Sequence, residues 1–162
     1  MIKYLAFEYQ SIFSFLNIFS YITFRSGGAI LTGLFFSLIF GNFLINKLTN
    51  IQPSGQPIRE DGPENHIIAK KGTPTMGGLL IILSVLVSTF LWSDLNNIFI
   101  WISIITILLF GFIGFADDYK KIKSNSSSGI SSKIRIIFQI IFGLLITYLI
   151  IRNLDSNISN SM

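Results

Sequence analysis

The chain is a succession of charge-free apolar runs separated by short polar segments. Four runs without Asp, Glu, Lys or Arg are candidates for spans: Ser26 to Asn46, Gly72 to Ser93, Leu95 to Ala116 and Ile136 to Ile151. At about 1.5 Å per helical residue, the first three reach the roughly 30 Å of a bilayer's hydrocarbon core. The fourth has 16 residues and must borrow length from Arg135 and Arg152, whose apolar stems can lie along it. The pattern predicts spans over 26–46, 74–93, 95–116 and 134–152. The second and third connect through Ser93-Asp94 with Leu95-Asn96-Asn97, a tight turn holding no Lys or Arg.

Thr73-Pro74 reads as a helix start, because a Thr oxygen can cap free amides and Pro at the first helical position lacks the amide that would go unsatisfied. Residues 4–24 are aromatic and apolar but broken by Glu8 and Gln10, and are expected to form an interfacial helix leading into the first span. A signal peptide is the rival reading, opposed by the early Glu8 and by Arg25 where cleavage would fall. Ser124 to Gly129 reads as a flexible loop and Asn153 to Met162 as a frayed tail. No internal repeat is found. The fold class expected is all-α, a polytopic membrane helix bundle of about four transmembrane helices plus the N-terminal interfacial helix, in one integral membrane domain over 1–162.

Composition supports that class. Hydrophobic residues make up 51% and charged residues 12%, 16 residues are Phe, and mean hydropathy is +0.64, which excludes an ordinary soluble domain. The net charge of +4 does not point to nucleic acid, since the basic residues flank apolar runs instead of forming a stripe. The lipid bilayer is the first partner. There is no cysteine, so neither a disulfide framework nor a thiolate metal site is available.

Nine of the twelve basic residues fall in two segments: Lys47, Arg59, Lys70 and Lys71 in the first, Lys120, Lys121, Lys123, Lys133 and Arg135 in the second. Positive charge marks the cytoplasmic side, so both segments are expected there and the Asp94 turn outside.

The candidate chemistry lies in those two segments. Asp117-Asp118 closes the 22-residue run from Leu95 to Ala116 and is followed by Tyr119, Lys120, Lys121 and Lys123. Carboxylates at a helix C-terminus face the negative end of its dipole, so helix stability alone does not explain them. Solvated helix ends and a functional acid pair are both compatible with their position. Successive helical residues diverge by about 100°, so the two acids cannot share one role. In the first segment, Lys70 and Lys71 precede Gly72-Thr73-Pro74-Thr75-Met76-Gly77-Gly78. These lysines read either as membrane-edge anchors or, beside a helix N-terminus, as an anion site. Gly77-Gly78 reads first as helix packing, and His66 as a polar loop residue.

The run from Lys70 to Gly78, preceded by Asp61-Gly62-Pro63-Glu64 and His66, resembles the signature of the phospho-N-acetylmuramoyl-pentapeptide transferase family. Phe115 to Lys121 is similar to the family's acidic motif, Asp-Asp-x-x-Lys. The likeness extends from Ile22 to about Gln139.

The resemblance implies transfer of phospho-N-acetylmuramoyl-pentapeptide from a UDP-linked donor to undecaprenyl phosphate, releasing UMP, with magnesium, at the inner membrane of a bacterium. It implies catalytic roles for Asp117, which would orient or deprotonate the acceptor phosphate, and for Asp118, which with Lys121 would contact the donor pyrophosphate or its metal. Both acids are the metal candidates. Lys70, Thr75 and Lys133 match positions lining the nucleotide cleft. A homo-oligomer stays open. Members of the family continue well beyond this length, with an Asp-Gly-Leu-Asp-Gly motif and a histidine cluster that do not occur here. The chain is therefore expected to be a partial sequence, a truncated product or a half that needs a partner. A noncatalytic fragment and a related N-acetylhexosamine-1-phosphate transferase are the alternatives, the Thr-Pro-Thr-Met-Gly-Gly run arguing against the latter.

Overall fold

A computed structural model describes residues 2–9, 13–53, 55, 74–124 and 126–159. All regular structure among them is helical: α1 (Ile2–Tyr9), a 3-10 helix (Ser14–Ser20), α2 (Ile22–Ile51), α3 (Gly78–Trp92), α4 (Ile98–Lys123) and α5 (Ser132–Ser159). The protein is an all-α membrane helix bundle. α2, α4 and the Ser132–Leu154 part of α5 are each long and apolar enough to cross a bilayer, whereas α3 is a shorter apolar helix.

The helices pack in chain order. α2 lies along α3, α3 touches α4, and α4 pairs with α5, while α2 and α5 do not meet. This open row leaves large apolar side chains such as Leu38, Ile81, Phe112 and Leu144 exposed, as lipid-facing surfaces require. Hydroxyls inside the apolar helices satisfy themselves on backbone carbonyls one turn back: Thr32 on Gly28, Ser37 on Gly33, Ser88 on Ser84 and Thr106 on Ile102. Two small residues admit large neighbours. A Cβ on Gly28 would enter the indole ring of Trp92, and one on Gly111 would meet Ile82 Cδ1 at 2.6 Å.

Two expectations need correction. Residues 4–24 do not form one interfacial helix: α1 ends at Tyr9, the 3-10 helix follows, and Tyr21 is extended before α2 begins. Tertiary contacts explain the break. Phe19 stacks on Trp92 at a centroid distance of 5.9 Å, Phe24 meets the edges of both rings, and the Tyr4 hydroxyl donates to Asp94 Oδ1 at 2.8 Å. The segment thus folds onto the α3–α4 turn, where Trp92 Nε1 also donates to Thr32 Oγ1 at 2.9 Å. The second correction is the start of α3. Thr73 lies outside the described residues, Pro74 is not helical, and α3 begins at Gly78 and has 15 residues. Thr75 has bonds elsewhere.

Candidate functional site

At the end of the bundle opposite Trp92, three elements converge. α2 ends at Ile51 and places Gln52 beside the segment leading into α3, and α4 runs two turns past its apolar part to carry Asp117, Asp118 and the lysines. Lys120, Lys121 and Lys123 in the last turn of α4 offset the dipole cost of the acids.

Asp117 is buried, 6% exposed, and both its oxygens are engaged. Its Oδ2 pairs with Lys121 Nζ at 2.6 Å, and its Oδ1 accepts the Ile130 N–H at 2.7 Å. Gly129 rests directly against the carboxylate, where a Cβ would lie 2.6 Å from the carboxyl carbon. Asp118 points elsewhere, as the helical offset demands. Its Oδ2 accepts the Thr75 hydroxyl at 2.9 Å, and its Oδ1 lies 3.3 Å from the same Lys121 Nζ. One ammonium therefore bridges two carboxylates, and each acid has its own neutral donor.

Thr75 is the hub on the other side. Its N–H donates to Gln52 Oε1 at 2.9 Å, and Gln52 Nε2 approaches the Thr75 carbonyl at 3.5 Å. Gln52 is 3% exposed. Met76, next to Thr75, has φ 74°, a left-handed conformation unusual for a residue with a side chain.

Beside the acids opens a cavity of about 530 Å³. Leu79, Ile82, Leu108, Phe112 and Phe115 form its walls, and Asp117, Asp118 and Arg135 stand among its lining. Such a cavity suits an amphiphile with a hydrocarbon portion and a charged head.

Of the residues singled out from the sequence, Asp117, Asp118, Thr75 and Lys121 come together. Lys133 is exposed in the first turn of α5 and does not line the cavity, whereas Arg135 does. Lys70, Lys71 and His66 lie outside the described residues. Gln52, Arg135 and the Gly129-Ile130 backbone were not anticipated. The Ser-rich tract expected to be a flexible loop ends instead in a clamp on Asp117. Only Gln52's place just after a long apolar run and before Pro53 hinted at a helix end there.

The carboxylates fit magnesium in kind, being hard oxygen donors. Among the described residues no group of three or more His, Cys, Asp or Glu side chains could close a metal site, so phosphate and water oxygens would have to complete the shell.

Residues 70–82 match phospho-N-acetylmuramoyl-pentapeptide-transferase signature 1. Over 130 residues the chain is 51% identical to the phospho-N-acetylmuramoyl-pentapeptide-transferase of Ruegeria sp., covering 80% of this chain and 36% of that protein. It is 48% identical over 133 residues to the protein of that name from Granulibacter bethesdensis, covering 82% and 37%. The match to the Dinoroseobacter shibae protein of the same name is 51% over 120 residues, covering 74% and 33%. The chain spans about a third of the length of the curated relatives it matches. The chain is a multi-pass helical membrane protein, and the relatives it resembles are phospho-sugar transferases by name. Over the stretch it shares with them, the chain is similar to the phospho-N-acetylmuramoyl-pentapeptide-transferases.

Proposed function

We propose that this chain supplies the acid and lysine part of a site that transfers phospho-N-acetylmuramoyl-pentapeptide from a UDP-linked donor to undecaprenyl phosphate. The observation that carries this reading is the Asp117–Lys121–Asp118–Thr75 cluster beside an apolar cavity at one end of a membrane bundle. A lipid-held phosphate and a water-soluble nucleotide sugar can meet only where hydrocarbon gives way to water. That end bears Lys47, Lys120, Lys121, Lys123, Lys133 and Arg135, which favours its facing the cytoplasm of the inner membrane.

In the reaction an oxygen of the acceptor phosphate attacks the donor phosphorus that bears the sugar. The bond from that phosphorus to the UMP oxygen breaks, and UMP leaves with the bonding pair. Both reactants are anionic, so positioning and charge compensation dominate catalysis. Asp117, beside the cavity, orients the acceptor phosphate and takes its proton where one is present. Lys121 is placed to pass from the carboxylates to the donor pyrophosphate, with Asp118 and the Thr75 hydroxyl fixing its other side. Lys70 and Lys133 serve the nucleotide. Asp118, with Asp117, would hold magnesium together with phosphate oxygens, and the ion would supply charge neutralisation on the pyrophosphate.

The test is to incubate the full-length protein with labelled UDP-donor and undecaprenyl phosphate. A labelled lipid product with stoichiometric UMP is expected; neither product forming would overturn the assignment.

A further inference from the structure

We propose that Gln52 is a positioning residue that sets Asp118 through Thr75, an inference that rests on the reading of this site as a transferase centre. Gln52 touches neither acid. Its side chain is almost wholly buried and holds the backbone of Thr75 at both polar groups, the N–H at 2.9 Å and the carbonyl at 3.5 Å. Its own backbone is fixed independently: the Gln52 N–H closes α2 on Leu48, and its carbonyl accepts the Gly55 N–H at 2.8 Å. The amide is therefore mounted on a rigid helix end.

What it holds is a strained segment. Met76 sits at φ 74°, a conformation that persists only where surrounding contacts over-determine the backbone. Two such contacts act on the adjacent Thr75, from Gln52 on α2 and from Asp118 on α4. Released from Gln52, the segment can relax, and the Thr75 hydroxyl leaves Asp118 Oδ2. Asp118 then rests on Lys121 alone, at the longer distance of 3.3 Å. A displacement of about 1 Å at a reacting group can cost up to a hundredfold in rate.

The experiment uses the full-length protein with Gln52→Met, which keeps volume and removes both polar atoms, and Gln52→Glu, which keeps an oxygen toward the Thr75 N–H. Hydrogen exchange read by mass spectrometry should show the 75–77 amides opening roughly five- to tenfold faster in Gln52→Met, and near the wild-type rate in Gln52→Glu. In the transfer assay kcat should fall roughly ten- to hundredfold in Gln52→Met, with the donor KM changed by less than about threefold, and Gln52→Glu should recover most of it. Adding Thr75→Val to Gln52→Met should cost no more than the worse single change, because both act through one hydroxyl. If Gln52→Met does not accumulate in the membrane, Gln52→Asn, one methylene too short, carries the same expectations. Unchanged exchange, an unchanged kcat beside a lowered melting temperature, or additive losses would each overturn the proposal. A wild-type protein without transfer activity would instead sink the functional reading, while the exchange data would still decide whether Gln52 is the clamp.

Discussion

Gly129→Ala isolates the placement of Asp117 from its chemistry. The added methyl would lie 2.6 Å from the Asp117 carboxyl carbon, a separation real side chains do not tolerate. A flexible side chain could swing away, but Asp117 is tied by the Ile130 N–H at 2.7 Å and the Lys121 ammonium at 2.6 Å. If the carboxylate moves, it loses a charged hydrogen bond of about 1.5–3 kcal/mol. If the loop moves instead, overpacking costs about 1–3 kcal/mol and draws the Ile130 amide away. Either route places about 2 kcal/mol on the aligned carboxylate, which corresponds to a roughly 30-fold loss in kcat. Backbone strain does not enter, because Gly129 does not have a positive φ. The control is Gly143→Ala in α5, where a Cβ meets nothing within 4 Å and activity should be retained. Both variants are compared by transfer of labelled donor to lipid, with thermal unfolding measured alongside. A Gly129→Ala enzyme within twofold of wild type would refute the clamp.

Three further outcomes are expected. Gly28→Ala should displace the Trp92 indole and break its bond to Thr32, lowering stability by about 1–3 kcal/mol and the melting temperature by several degrees; an unchanged midpoint contradicts the packing at that end. Lys133→Ala should raise the donor KM several-fold with kcat kept, and an unchanged KM would count against its place on the nucleotide side. In this cysteine-free chain, a maleimide should label Ser126→Cys only from the cytoplasmic side and Asn96→Cys only from the outside. The reverse pattern would invert the topology.

The helices were legible because lipid demands long charge-free runs, and no competing signal interrupts Ser26 to Asn46 or Leu95 to Ala116. The acid pair was legible because Asp117 and Asp118 stand at the end of such a run with lysines behind them. Cap chemistry misled at Thr73-Pro74, where the Thr75 bonds to Gln52 and Asp118 outweigh a helix start and defer α3 to Gly78. Residues 4–24 misled because aromatic content alone does not separate a continuous helix from two short pieces wrapped on Trp92. Gln52 and Gly129 were invisible for a shared reason. Each acts through contacts distant in sequence, 23 residues to Thr75 and 12 to Asp117, and neither residue type announces such a role in a polar segment.

The central claim is that the Asp117 carboxylate does chemistry at the membrane edge and is not merely one half of a structural ion pair with Lys121. It is tested most directly by Asp117→Asn in the full-length protein, assayed for lipid-linked product from labelled donor. Transfer should vanish while the protein stays folded in the membrane fraction, since Asn keeps an oxygen for the Ile130 N–H. Product formed at the wild-type rate would contradict it.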